Sequence, residues 1–210
     1  MKISEVIGLS LTWFFRAFLF ITGIIYLVSG DPIGFTIYIF MFILSLLPIM
    51  LGQLYKIKFH WLAQLLLAFL FSIHMFGFLG AYLWIPVYDD IAHIFGSAIL
   101  AFIGFAMVYA MNYARKIRVN LSMMGIFTFI WTMAIGAVWE ILEFIWDNIV
   151  ILSYEYGFAQ NSLYDTMGDL SLDATAGVCI ALFCVYLIKQ VEKKQIKGFF
   201  EPFAKIVQRK

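Results

Sequence analysis

The chain has 210 residues, of which 64% are hydrophobic and 13% charged, and its formal net charge is +1. A soluble globular protein is about half apolar and about a quarter charged, so this chain has too few polar side chains to cover a soluble surface. The composition therefore excludes a cytoplasmic globular enzyme, a disordered chain and a nucleic-acid-binding protein that depends on excess positive charge, and it indicates an integral membrane protein.

Six apolar runs follow one another along the chain, and each is long enough to cross a hydrocarbon core about 30 Å thick. The runs are Ile7 to Val28, Ile33 to Leu54, Trp61 to Trp84, Asp89 to Tyr113, Leu121 to Val150 and Asp165 to Ile188. Pro48 lies inside the second run and predicts a kink there. The sequence thus predicts an all-α, polytopic membrane bundle of six transmembrane helices at 1–188, followed by a basic amphipathic cytoplasmic tail at 189–210.

Basic residues predict the orientation of these helices, because Lys and Arg favour the cytoplasmic ends of membrane spans. They lie at the N-terminus, in two loops and in the tail, namely Lys2, Lys56, Lys58, Arg115, Lys116, Arg118 and the lysines from Lys189 onward. The other three connections contain no Lys or Arg. We therefore expect a multi-pass protein of the inner membrane with both termini in the cytoplasm.

Acidic residues are concentrated on the opposite side, and several lie inside the apolar runs. An acidic side chain at a helix centre is disfavoured by about 2.5–3.5 kcal/mol on insertion scales, so each one needs a reason to be there. At 100° per residue, helical spacing places these residues on one face of each of three helices. The three faces are Asp89 with His93, Glu140 with Glu143 and Asp147, and Asp165 with Asp169 and Asp173.

Carboxylates gathered in a low-dielectric site need a counter-charge, since like charges at short range favour protonation. Carboxylates with an imidazole suit a divalent ion, so we expect Mg, Mn, Zn, Ca or Fe as the cofactor. The predicted metal ligands are Asp89, His93, Glu143, Asp165 and Asp173, and the predicted catalytic carboxylates are Glu140 and Asp169. Further candidates are His74, Asp90, Asp147 and Arg16.

Simpler explanations stay open for some of these side chains. His74 can be a hydrogen-bonded packing residue. Asp90, Asp147 and Asp165 lie near predicted helix ends, where solvation or capping explains a carboxylate. Arg16 can extend its guanidinium to the interface with water instead of joining a site.

Three short motifs resemble those of a known family. They are Tyr88-Asp89-x-x-x-His93, Trp139-Glu140-x-x-Glu143-Phe144 and Gly168-Asp169-x-x-x-Asp173, and together they span about residues 88–177. This pattern resembles the YjdF-like family of small polytopic bacterial inner-membrane proteins, whose function is unassigned. The aspartate spacing after Asp169 departs from that family's pattern. The resemblance implies a shared site architecture and no particular reaction.

Three classes of function fit these observations. The first is a metal-dependent membrane hydrolase acting on an anionic, lipid-linked substrate in the outer half of the membrane, with a carboxylate as general base. The second is a cation or proton transporter or channel that uses the same acidic cluster. The third is a non-catalytic, metal-stabilised assembly or sensor protein. Membrane lipid is the expected partner in the first class, and none of the three involves nucleic acid.

Overall fold

The computed structural model describes residues 3–150, 159–160, 162–190 and 205–206, and every regular element within them is helical. The helices are α1 (Ile3–Val28), α2 (Pro32–Ser45), α3 (Leu47–Tyr55), α4 (Trp61–Phe76), α5 (Tyr82–Trp84), α6 (Tyr88–Tyr113), α7 (Leu121–Ile145) and α8 (Leu163–Gln190). Wider π-helical turns join α4 to α5 at Gly77–Ala81 and extend α7 through Trp146–Val150. Apart from its start in α8 and residues 205–206, the predicted tail at 189–210 lies outside the described residues.

Five of the described segments are long and apolar enough to cross a membrane, and the number is six if the bent pair α2–α3 forms one span. The five are Ile3–Val28, Trp61–Trp84, Tyr88–Tyr113, Leu121–Ile149 and Leu163–Gln190. These segments coincide with the predicted apolar runs to within a few residues, so the all-helical, multi-pass architecture is confirmed. The cytoplasmic location of the termini stays a prediction.

The chain divides into two compact units, with the boundary inside α6 between Ala92 and His93. Among the described residues, the first unit extends to Ala92 and the second begins at His93. In the first unit α1 packs against α2 and α4, and in the second α7 packs against α8. His93, Asp169 and Asp173 all belong to the second unit.

The pair formed by α2 and α3 is bent by 43° at Leu46, next to the predicted kink at Pro48. The Ile49 N–H donates to the Leu46 carbonyl at 2.9 Å, which shifts the hydrogen-bond pattern and leaves the Ser45 carbonyl outside it. Arg16 Nη2 from α1 donates to that Ser45 carbonyl at 2.9 Å. An irregular backbone inside a membrane is tolerated where another group pairs with the freed carbonyl, and Arg16 does this here.

One interpretation of the sequence placed the Arg16 guanidinium at the interface with water. The structure instead buries Arg16 inside the first unit. Its side chain is buried, with 1% of its surface exposed, and its guanidinium carbon lies 5.1 Å from the centre of the Trp13 ring. The Ser45 carbonyl lies within reach of the middle of α1, so the guanidinium is held inside the unit by a partner that the sequence did not reveal.

A second irregular turn, at Gly77–Ala81, follows α4, and Gly80 adopts a φ of 121° that only glycine readily takes. Two buried tyrosines donate to carbonyls of the last turn of α4. The Tyr38 hydroxyl donates to the Met75 carbonyl at 2.6 Å, and the Tyr88 hydroxyl donates to the Ile73 carbonyl, also at 2.6 Å. Side chains from neighbouring elements therefore stabilise the backbone at both irregular points of the first unit.

Helices α7 and α8 approach each other closely at small residues. Gly177 faces Thr132, where an added Cβ would lie 3.2 Å from the Thr132 Cβ atom. Gly136 faces the carboxylate of Asp173, and an added Cβ there would overlap that group. These glycines allow the two helices to pack closely, and the contact at Gly136 brings an acidic side chain of α8 against α7.

Candidate metal centre

The imidazole of His93 lies at the centre of the candidate site, in the second turn of α6. Its Nδ1 atom lies 3.2 Å from Asp173 Oδ1, and the Ser97 hydroxyl donates to the same oxygen at 2.5 Å. His93 and Asp173 have only 4% and 1% of their surface exposed. Asp173 therefore connects α8 to two residues that lie one turn apart on α6.

This contact determines which nitrogen of His93 is presented to the rest of the site. With its hydrogen on Nδ1, the imidazole donates to Asp173 Oδ1. In this neutral tautomer the lone pair lies on Nε2, the atom that faces away from Asp173. A carboxylate holding one ring nitrogen so that the other can bind a metal is the usual outer-shell arrangement around a metal-bound histidine.

The Nε2 atom faces a second buried carboxylate from α8. It lies 3.9 Å from Asp169 Oδ1, which is longer than a hydrogen bond between these two atoms. Two ligand atoms that each lie about 2.1 Å from a tetrahedral ion are about 3.4 Å apart, so Nε2 and Asp169 Oδ1 would bind one ion after approaching each other by about 0.5 Å. Asp89 lies one turn before His93 on α6 and offers a carboxylate oxygen within 4.8 Å of the imidazole. Residues of suitable type and spacing for a cation are thus present.

The charge of Asp173 is only partly compensated. Its Oδ2 atom packs against Gly136 and has no hydrogen-bond partner in the part of the chain that the structure describes. A buried, ionised oxygen without a partner is strongly disfavoured unless positive charge lies nearby. The site therefore has the electrostatic character of one that attracts a cation.

Glu140 lies on α7, one turn after Gly136, and 5% of its surface is exposed. The side-chain amide of Gln160 donates both to its Oε2 atom and to its backbone carbonyl, each at 3.0 Å. Glu140 thus has one carboxylate oxygen, Oε1, that is buried and has no partner among the described residues.

Asp147 holds the segment at 159–160 in place. Its two oxygens accept the backbone N–H groups of Ala159 and Gln160 at 2.7 and 2.8 Å. An open cleft of about 600 Å³ lies between this segment, the end of α7 and the start of α8. Its lining residues are Glu140, Ile141, Phe144, Asp147, Asn148, Gln160, Ser162, Leu163 and Thr166. Asp147 therefore shapes the cleft and uses both oxygens to do so.

The remaining acidic candidates have other surroundings. Glu143 accepts a hydrogen bond from Trp139 Nε1 at 2.7 Å, one turn earlier on α7. Asp165 lies in the first turn of α8, where its backbone N–H donates to the Ser162 hydroxyl at 3.2 Å. Asp90 is exposed beside the half-buried Asp89. None of these contacts brings the three side chains to His93.

His74 and Arg16, the two candidates from the first half of the chain, belong to the first unit. The His74 ring has its Nδ1 atom 3.3 Å from the Tyr82 hydroxyl, across the irregular turn at Gly77–Ala81. Arg16 holds the Ser45 carbonyl, as described above. The contacts described for both residues are structural.

Two residues of the site were not identified from the sequence. Ser97 lies one turn after His93 on the same face of α6, and that spacing was a usable signal. Gln160 lies in a connection between helices, where no periodicity relates it to Glu140. Its role became visible only from the folded chain.

The chain matches one family model, described as "Predicted membrane protein (DUF2238)", over residues 10–190. No match is found among proteins with curated annotation or among solved structures. The matched range includes all the helices that carry the candidate site and also the first three spans, beyond the motifs that carried the sequence resemblance. This chain therefore belongs to the DUF2238 family of predicted membrane proteins, the YjdF-like family that its motifs indicated.

Proposed function

We propose that this membrane protein binds a divalent cation through His93 Nε2 and Asp169, with Asp89 as a third ligand. The observation that carries this proposal is the orientation of His93, whose Nδ1 atom is held by Asp173 while Nε2 lies 3.9 Å from Asp169 Oδ1. Asp173 and Ser97 then orient the histidine and increase its basicity without themselves being ligands.

A cation at this position explains the burial of several acids at one place. His93, Asp169 and Asp173 are each at most 4% exposed, and Asp173 keeps one unpaired oxygen among the described residues. A divalent ion supplies the positive charge that these carboxylates need in a low-dielectric surrounding. The expected ions are Mg, Mn, Zn, Ca or Fe, because the ligands are oxygen atoms and one imidazole nitrogen.

The same arrangement is suited to hydrolysis of a lipid-linked, anionic substrate. A bound metal ion polarises a phosphoryl or acyl oxygen and lowers the pKa of bound water. Glu140, whose Oε1 atom is buried and has no partner among the described residues, lies one turn from the glycine that faces Asp173 and is the proposed general base. The proposed setting is an inner membrane with cytoplasmic termini, which places the centre in the outer half of the bilayer.

Metal analysis of the purified full-length protein tests the binding step. The wild type is compared with Asp169→Asn and His93→Gln, which remove proposed ligands, and with Asp90→Asn, which changes an exposed carboxylate on α6. We expect bound metal in the wild type and in Asp90→Asn, and a loss in the other two variants. Retention of metal by Asp169→Asn would remove the main support for the site.

Two functional assays then separate the classes of activity. Hydrolysis of lipid substrates by the wild type, lost in Asp169→Asn, is expected for the enzyme. Ion flux through the protein in liposomes, lost in the same variant, would instead identify a transporter and contradict the proposed hydrolase. Metal binding with neither activity would indicate an assembly or sensor protein.

A further inference from the structure

The connection between α6 and α7 carries a dense group of basic side chains. Arg115, Lys116 and Arg118 fall within four residues, and the connection at 114–120 contains no acidic residue. All three side chains are exposed, and none forms an ion pair with an acid in the part of the chain that the structure describes. Three cations so close together create a positive potential that attracts an anion.

The backbone holds one of these cations in a conformation that helix ends usually reserve for glycine. Arg115 lies two residues after α6 and has a φ of 57°. Four described residues have a positive φ, namely Gly30 and Gly80 and the two basic residues Lys56 and Arg115. A side chain that is kept where glycine fits the backbone better indicates a role for that side chain. At residue 115 the side chain that is kept is a guanidinium group.

Hydrogen bonds within the connection fix its shape. The Arg115 N–H donates to the Asn112 carbonyl and the Lys116 N–H to the Met111 carbonyl, both at 3.0 Å. The Val119 N–H donates to Asn112 Oδ1, also at 3.0 Å. These backbone donors are already used, so the connection offers its basic side chains to an anion. A preformed arrangement of this kind binds with a smaller loss of conformational freedom.

The position of the connection indicates which kind of anion it meets. It joins Tyr88–Tyr113 to Leu121–Ile149, and both segments are long and apolar enough to cross a membrane. A short connection between two membrane spans lies at the level of the lipid headgroups. Tyr113 and Met123, on either side of it, are exposed and offer apolar surface to acyl chains. An anion with an apolar body fits this position, and an acidic phospholipid is such an anion.

We propose that Arg115, Lys116 and Arg118 bind the phosphate headgroup of an anionic phospholipid. A guanidinium group donates two parallel N–H bonds to phosphate oxygens, which gives an arginine a geometric specificity that a lysine ammonium lacks. His93 lies near the start of α6 and Arg115 lies beyond its end, so this site and the proposed metal centre are at opposite ends of one helix. The inference therefore does not depend on the proposed function.

Two lipids with the same acyl chains test the proposal on the purified full-length protein. Phosphatidylglycerol carries a net negative charge, whereas phosphatidylcholine has the same phosphate and no net charge. The dissociation constant of each lipid is measured by native mass spectrometry in a neutral detergent. We expect at least about a tenfold preference for phosphatidylglycerol, and equal binding of the two lipids would overturn the inference. Soluble glycerol phosphate should not displace the lipid, and displacement would contradict the proposal by identifying a soluble ligand.

Three variants locate the binding. Arg115→Gly removes the guanidinium and suits the left-handed backbone, so the fold should be retained and phosphatidylglycerol binding should weaken more than about tenfold. Arg118→Gln leaves that backbone position unchanged and should give a similar loss. Lys56→Gly is the matched control, because it makes the same backbone exchange and removes one charge in the connection between α3 and α4.

The size of the loss separates a binding site from a diffuse effect of charge. A basic residue that only adds to the positive surface near a membrane changes lipid affinity by about fivefold, which is the most that we expect for Lys56→Gly. Equal losses in Arg115→Gly and Lys56→Gly would show a diffuse effect and refute the site. A preference that survives in both Arg115→Gly and Arg118→Gln would place the lipid elsewhere and also refute it.

Discussion

Replacing Gly136 by alanine tests whether the close contact between α7 and α8 controls the orientation of His93. An added Cβ at this position overlaps the Asp173 carboxylate, so the side chain of Asp173 must move. Gly125 on the same helix provides the matched control, because an added Cβ there lies 3.5 Å from Val185, an ordinary packing distance. Both substitutions have the same effect on intrinsic helix propensity.

The free energies involved predict opposite changes in stability for the two variants. Alanine in place of a helical glycine stabilises a helix by about 0.5–1 kcal/mol, which is the effect expected at Gly125. At Gly136 the displaced carboxylate loses one or both of its bonds to His93 and Ser97. A hydrogen bond to a charged group contributes about 1.5–3 kcal/mol, so loss of even one leaves Gly136→Ala less stable by about 0.5–2.5 kcal/mol.

Metal affinity is the second readout, because stability alone does not report on His93. Loss of the residue that orients a metal-bound histidine lowers metal affinity by about 10–100-fold. Titration of the metal-free protein in detergent should show this decrease for Gly136→Ala and none for Gly125→Ala. Equal metal affinities in the two variants would show that the position of the Asp173 carboxylate does not depend on the space at Gly136. This result would refute the proposed control of His93 by the contact between α7 and α8.

Three further predictions concern other parts of the chain. Tyr38→Phe removes the hydroxyl bonded to the Met75 carbonyl, so the free energy of unfolding should fall by about 0.5–1.5 kcal/mol in a detergent unfolding titration; an unchanged value would contradict the role of this bond. Asp147→Asn replaces one of two acceptors by a donor, so amide hydrogen exchange at 159–160 should become faster, and unchanged exchange would mean that other contacts hold the segment. Ile117→Cys, in a chain without its two native cysteines, should react with a membrane-impermeant thiol reagent only from the cytoplasmic side; labelling only from outside would reverse the proposed orientation.

The membrane spans were predictable because hydrophobic length and composition depend on the local sequence. The kink near Pro48 was also predictable, since proline lacks the N–H that a helix requires. The partner of the carbonyl group that the kink leaves unpaired was not predictable. Ser45 is paired by Arg16, which lies 29 residues earlier, and no local pattern relates two such distant positions.

The candidate site was likewise predictable in part. Helical spacing placed Asp169 and Asp173 on one face of α8, and the structure brings both near His93. Spacing cannot tell which carboxylate holds Nδ1 and which faces Nε2, since this depends on how far α8 is shifted along α6. The contact of Glu140 with Gln160 likewise depends on the path of a connection between helices.

The pairing of backbone carbonyls in the first unit has a consequence for the order in which the chain enters the membrane. Synthesis delivers α1 before α2, so Arg16 is already in place when the bent segment at Ser45 arrives. Tyr38 is synthesised before its partner, because the Met75 carbonyl lies 37 residues later, on α4. A nascent chain that ends after α3 therefore carries a hydroxyl without its native partner, at a cost of about 1–3 kcal/mol where water is absent. The first three helices are thus complete as a membrane-stable unit only once α4 has been inserted beside them.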